Sequence, residues 1–517
     1  MTDSIARPGA PARATPTRPP TDRPTDRPTD RPTDRPTDQA APTATPARRP
    51  RPPRDERARK KGGSGLFRAM WRWHFFASFL VVPVLLVLSV TGLIYLFRFQ
   101  IEPLMHGDLM HIDTPAATEV RQSYAAQQTA LERVYPDVTV VSMREPLEAD
   151  DATAFSVVEA DGSPRDVYVD PYGPDVLGSL DPDTTLSGTA VRIHADLMAG
   201  RFGDHLIELG ACWAIVMALT GYYLFVRGAK ARRRARAKDR PGARLRSRHG
   251  WLGAGVGVGL LFLLVSGLPW TGVWGETVQK LATDRGSSLW STDPGALSDP
   301  TSSLDESLPH SHVQDVPWGM GASEVPRSTG DPEGSVANID TAVEVAEAEG
   351  LRHPFTVAVP DTTTDEAGVY SVIGYAFDAP SDERTVHVDR FGGAVVSTYG
   401  FDDYPTLAKV VSQGIGLHEG RSLGLWSFWG AALMCVGIIA ACVTGPLMWW
   451  RRRPRGAARI GAPRGRMPLR GSPVLLVGLV ALGIVLPLFG LSLLVVLALD
   501  QLVLRRVPAL AGWFDTV

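Results

Sequence analysis

Residues 246–267 read RSRHGWLGAGVGVGLLFLLVSG. A histidine, His249, sits among arginines at the mouth of a long apolar run that ends in a small hydroxyl residue and a glycine. Residues 71–92, WRWHFFASFLVVPVLLVLSVTG, follow the same plan, with His74 leading and Thr91-Gly92 closing. Five apolar runs reach this length: 75–97, 206–226, 251–274, 423–450 and 473–499. Crossing the hydrocarbon takes about 20 such residues. Four of the runs hold no Asp, Glu, Lys or Arg, and the second holds only Glu208. The chain therefore reads as an α-helical integral membrane protein, multi-pass in a cell membrane and in contact with lipid.

The formal net charge of the 517 residues is −2, which says nothing about partners, but the charges are segregated. The loop 227–248 carries eleven Lys/Arg and one acid, and 451–470 carries eight Arg and none. Basic short loops stay cytoplasmic, and the stretch before the first run is basic too. The expected order is then a cytoplasmic N-terminal tail (1–65), a first crossing (66–98), an outer segment (99–204) and a second crossing (205–226). A basic loop (227–250), a third crossing (251–275), a second outer segment (276–422) and a fourth crossing (423–450) come next. A basic loop (451–472), a fifth crossing (473–499) and an extracytoplasmic C-terminus (500–517) complete it, although Pro487 breaks the fifth run and leaves open whether it crosses once or turns back. The first run lacks a small-residue cleavage site and reads as a retained anchor. The tail repeats TDRP, so Pro recurs too often for helix or sheet and little is apolar enough to bury. Its composition predicts disorder. Cys212, Cys435 and Cys442 all lie within the runs, as buried thiols would.

The spacings reveal a duplication. His74 precedes Thr91-Gly92 by 17 and 18 residues, and His249 precedes Ser266-Gly267 by the same 17 and 18. His194 precedes Thr220-Gly221 by 26 and 27, and His418 precedes Thr444-Gly445 by the same 26 and 27. The outer segments match as well: VYVDPYG (167–173) parallels VHVDRFG (386–392), each after an Ala-rich amphipathic stretch and short β-like runs. The expected architecture is a duplicated four-helix core plus a fifth helix, with two small α+β extracytoplasmic domains. Repeats of this kind place sites at the interface between halves.

Pseudo-symmetry brings His74 toward His249 at one membrane face and His194 toward His418 at the other. Two opposed imidazoles suit the axial positions of a six-coordinate b-type haem. Two such haems would carry electrons across the bilayer. The glycines of GAGVGVG (253–259) fit either close approach of a flat macrocycle or small-residue helix packing. Arg246 and Arg248 are candidates for haem propionates, and Trp270, Trp274 and Trp426 for the wall of an acceptor site. A zinc site built from His194, Asp196, His205, His418 and Glu419 is a rival reading. His205 ranks below the four histidines, because its counterpart in the second half is Trp429. Thr220, Thr444 and Ser266 are expected to bond their own helix backbone. The run centres carry no ionisable groups, which argues against a proton-coupled permease. No phosphate loop, nicotinamide or flavin motif, nucleophile–base pair or nucleic-acid signature is present. The electron donor is therefore another molecule, a cytoplasmic protein or a quinol.

These stretches, together with IHADLMAGRFGDHLIELGACWAIVMALTGYYLF (193–225) and GLHEGRSLGLWSFWGAALMCVGIIAACVTGPLMWWRRRP (416–454), resemble the PepSY-associated transmembrane proteins of bacteria. The two VxVDxxG segments resemble PepSY domains. The resemblance covers about 66–504. It implies a link to iron uptake and a likeness to inner-membrane ferric-siderophore reductases that carry two b-type haems. By that resemblance His74, His194, His249 and His418 are the axial ligands of haem iron and a ferric siderophore is the acceptor. A non-enzymatic PepSY sensor or anchor that binds peptide or protease is the alternative, and an iron or small-solute permease the second.

Overall fold

The computed structural model describes residues 54–452, apart from 114–117, 174, 286–301, 304–323, 332, 335, 361–366 and 375–378, together with 460–461 and 473–514. The predicted tail disorder lies almost wholly outside the described residues. Among those residues, five helical segments are long and apolar enough to cross a membrane: Gly65–Leu96, Gly200–Arg227, Ala243–Trp270, Leu425–Arg452 and Pro487–Leu504. The protein is a multi-pass membrane protein. The first four spans belong to helices α1 (Arg54–Leu96), α4 (Gly200–Arg227), α5 (Ala243–Gly267) and α9 (Leu425–Arg452). Their shared core contains Val81 and Leu85 of α1, Cys212 and Ile215 of α4, Leu260 and Leu264 of α5, and Ile438 and Cys442 of α9. All three cysteines are free thiols.

Among the described residues, each half supplies one helix and four strands to a shared sheet region outside the spans. The first half gives α2 (Tyr124–Val134), β1 (Thr139–Arg144), β2 (Thr153–Val158), β3 (Pro164–Val169) and β4 (Val176–Leu180). The second gives α7 (Ile339–Ala348), β5 (Phe355–Ala358), β6 (Val369–Gly374), β7 (Arg384–Asp389) and β8 (Val395–Gly400). The strands of the two expected α+β domains join in one antiparallel eight-stranded sheet, ordered β8-β7-β6-β5-β1-β2-β3-β4. The seam is β1 against β5, with Met143 opposite Val357. Two four-stranded sheets would leave unpaired edges at this seam, and pairing them removes both. One core runs under the seam, joining Leu131, Met143 and Phe155 to Ile339, Phe355 and Val386. Glu145 reinforces it by accepting from Tyr124 Oη at 2.8 Å and from Phe355 N at 3.0 Å.

Two short helices link the sheet to the spans. α3 (Leu186–Asp196) precedes α4, and α8 (Thr406–His418) precedes α9. α6 (Gly272–Thr283) follows α5, and Glu208 of α4 accepts from its first amides, Val273 N at 2.9 Å and Trp274 N at 3.2 Å. A carboxylate at a helix N-terminus satisfies amides that the helix itself cannot. This gives Glu208, the single acid of the five apolar runs, a structural task.

The end of the chain departs from the sequence expectation. The run 473–499 is not one crossing. It is α10 (Pro473–Val485) and α11 (Pro487–Leu499), packed back on each other with Gly483 against Gly490. Proline lacks an N–H and disfavours helical geometry in the residue before it. Leu486 accordingly leaves the helix, at φ −119°, ψ 86°. The chain then returns to the end of the bundle where α1 begins. Arg72 donates to the Phe514 carbonyl at 3.1 Å, and Ile460 N to that of Trp513 at 3.1 Å. Residues 500–514 thus lie at the basic-loop end of the bundle and not at the sheet end, where the sequence expectation put them.

Candidate functional site

Each of the four histidines projects from one helix onto another helix of the same repeat. His74, in α1, places Nδ1 at 2.9 Å from the Met217 carbonyl and 3.3 Å from Thr220 Oγ1, both in α4. His194, in α3, places Nδ1 at 2.9 Å from Thr91 Oγ1 of α1. The second repeat does the same: His249 Nδ1 lies 2.9 Å from Thr444 Oγ1 of α9, and His418 Nδ1 lies 2.9 Å from Ser266 Oγ of α5.

The hydroxyls settle which ring nitrogen carries the proton. Each donates to the carbonyl one turn back in its own helix: Thr91 to Val87 at 2.9 Å, Thr220 to Val216 at 2.9 Å, Ser266 to Phe262 at 2.9 Å and Thr444 to Ala440 at 2.8 Å. With its proton engaged there, the hydroxyl offers the ring only a lone pair. Nδ1–H must then donate. For His74 the Met217 carbonyl, which can only accept, demands the same tautomer. Nε2 is left with its lone pair on all four rings. Among the described residues no hydrogen bond reaches any of these Nε2 atoms. The sequence expectation that the hydroxyls bond their own backbone holds, but it missed this second task.

The glycine after each hydroxyl makes room for the ring. A Cβ built on Gly221 would stand 3.2 Å from His74 Cε1, and one on Gly92 would stand 3.4 Å from His194 Cε1. The matching distances are 3.4 Å from Gly267 to His418 and 3.8 Å from Gly445 to His249. Hydroxyl and glycine together form a seat for an imidazole from the neighbouring helix.

Across the repeats, His74 lies within electrostatic reach of His249, and His194 within electrostatic reach of His418. Burial drives His194 down to about 4, and the neighbouring His418 pushes the same way. Burial lowers His418 too, against the pull of Glu419. Both rings at the sheet end are thus held neutral, the form that ligates metal.

The other expected residues scatter. His205 faces Gly272, whose amide donates to the neighbouring Asp204 at 3.0 Å. Among the described residues no three His, Cys, Asp or Glu side chains gather as metal ligands, which leaves the zinc reading without support. Trp270 packs edge-on against His418, ring centres 5.6 Å apart, whereas Trp274 donates to Val485 O at 2.9 Å and Trp426 is exposed. The three tryptophans form no common wall. In GAGVGVG, Gly257 and Gly259 make room for Tyr222 and Met434, while Gly253 and Gly255 face open space. Arg246 lies within electrostatic reach of Arg232 and Arg452.

The arrangement can therefore present a pair of imidazoles with pre-oriented Nδ1 atoms at each end of a membrane bundle. The family model for the PepSY-associated TM region matches residues 71–452, a stretch that contains all four histidines and their seats. No curated protein matches the chain. The match covers most of the chain, and the protein belongs to the PepSY-associated TM region family.

Proposed function

We propose that the protein is a di-haem b electron-transfer protein of the bacterial cell membrane, with its N-terminus cytoplasmic. His74 and His249 hold one haem near the cytoplasmic face, and His194 and His418 hold the other near the sheet. The electron acceptor is extracytoplasmic, a ferric siderophore or a similar chelate in iron uptake. The donor is a cytoplasmic protein or a quinol. Haem held at such sites supplies a one-electron carrier whose potential its axial ligands tune.

One observation carries this reading: four imidazoles with Nδ1 fixed as donor and Nε2 free, met in pairs from different repeats. The donor set fits the group. Metal-ligating histidines almost always donate their other ring N–H to a carbonyl or similar acceptor, which fixes the tautomer and raises ligand basicity. The hydroxyl–glycine seats do this for every ring. A ring without a metal has no need of four such seats. The sheet offers the surface on which an acceptor docks.

The test is the absorption spectrum of the detergent-purified protein, oxidised and dithionite-reduced, with haem counted per chain. The expected result is a low-spin b-type spectrum with about two haems, as two bis-histidine sites require. A preparation from haem-supplied cells with no Soret band would sink the proposal and leave the sheet-domain anchor role.

A further inference from the structure

The helix that carries His418 is tied to the sheet by a buried ionic bridge that belongs to neither ring seat. Glu383, at the start of β7, has a side chain closed off from solvent, and Arg421 and Glu419 are nearly so at 12% and 9% exposure. Glu383 Oε2 accepts from Tyr404 Oη at 3.1 Å and from Ser412 Oγ of α8 at 3.2 Å. Its Oε1 accepts from Arg421 Nη2 at 3.2 Å. Arg421 Nε donates to Glu419 Oε2 at 2.8 Å.

The backbone puts Arg421 where it can act on His418. α8 ends at His418, and the chain turns through Gly420 at φ +80°. Arg421 N then donates back to Gly416 O at 2.8 Å, and Gly420 N to Leu417 O at 3.3 Å. This is the glycine-based helix stop in which the residue after the glycine closes the last turn. Gly416, in that turn, packs so tightly on Pro380 that a Cβ would stand 2.5 Å from the proline ring. One residue thus closes the turn that bears His418 and clamps it to the sheet.

We propose that Arg421 is the positioning residue of His418: its fork between Glu383 and Glu419 sets where the last turn of α8 meets the sheet, and so how the ring meets Ser266. The proposal rests on the two-haem reading for its functional meaning. Among the described residues, the first repeat has no such bridge. Its residue at the same offset from histidine is Leu197.

Removing one member of a buried ion pair strands the other charge, so Arg421→Gln alone could fail by misfolding. The informative variants are Arg421→Lys, which keeps the charge but not the planar fork, and the double variant Glu383→Gln/Arg421→Gln, which removes both charges. Two measurements on the full-length protein decide. One is the low-temperature EPR spectrum of the two low-spin haems. The other is diethylpyrocarbonate labelling of His418 relative to His194, read by peptide mass after haem extraction. The expected result is that one low-spin signal shifts or is lost while the other stays, and that His418 labelling rises severalfold with His194 unchanged. Wild-type signals and wild-type labelling in both variants would overturn the assignment. A wild-type protein without haem would defeat the two-haem reading alone. The labelling of Arg421→Lys against wild type then still decides whether Arg421 positions His418.

Discussion

α3 and α8 do the same job in the two repeats and are held in opposite ways. Both deliver a histidine to a hydroxyl–glycine seat on the preceding span. α3 is fixed at its start: buried Glu102 accepts from Ser187 N at 2.7 Å, and Thr185 accepts from Gly188 N at 3.0 Å. It ends without glycine, on Leu197 and Met198 at φ 56° and 55°. α8 is fixed at its end by Gly420 and the Glu383–Arg421–Glu419 bridge. The seats recur because the ring chemistry is the same on both sides. The tethers differ because each needs only to stop a short helix from turning about its axis, and different side chains can do that. What is repeated marks the site, and what has diverged marks its support.

The largest effect should come from the rings themselves. His194→Ala and His418→Ala should each remove about one haem per chain, since a bis-histidine site loses half its protein ligands. Pyridine haemochrome assay on the two variants checks this. The double variant His194→Ala/His418→Ala should lose no more than that same one haem, and loss of two would mean that the pairs do not run across repeats. The glycines come next, and they separate the repeats. Gly221→Ala puts a methyl 3.2 Å from His74 Cε1 and should shift the spectrum or cut haem content. Gly445→Ala, at 3.8 Å from His249, makes an ordinary contact and should be silent. Equal effects would show that the seat distances do not matter. Thr91→Val and Ser266→Ala remove only the Nδ1 acceptor. Each should weaken haem retention about 10- to 100-fold, the usual cost of losing such an outer partner. Haem transfer to apomyoglobin measures it.

Much of this site could be read from the chain. The five apolar runs, the four histidines and the two equal registers stand in the sequence, and the registers already contain the hydroxyl–glycine seats. Which hydroxyl each ring would meet could not be read from those registers. The register sets His74 before Thr91 in one run, and 17 residues of helix at 1.5 Å per residue put the two about 25 Å apart. The seat for His74 is Thr220, in the next span, and Thr91 serves His194. A spacing along one helix records two ends of the membrane, not a contact. The seam between β1 and β5 was also out of reach, since β alternation states which face is buried and not which strand lies alongside. At the C-terminus Pro487 marked a break. Whether the chain crosses or turns back depends on Gly483 meeting Gly490, a contact that no local pattern encodes.

The smallest expected effect concerns the strain at the end of α3. Met198 is exposed and left-handed, a conformation that costs a residue with a Cβ about 1 kcal/mol. Glycine accepts that φ freely but loses more entropy on folding, so Met198→Gly should stabilise by about 0.5 kcal/mol. Gly420→Ala, at φ +80° with Leu96 and Phe428 within 3.2 Å of the added carbon, should destabilise by more than that. Thermal melts of the two variants in one detergent give the sign of each. If Met198→Gly is stabilising and leaves the EPR spectrum unchanged, the strained turn is only the way α3 happens to end. If it is stabilising and the His194 signal broadens, the left-handed pair holds the ring as Arg421 does in the second repeat. The two halves would then share a tether in function though not in chemistry.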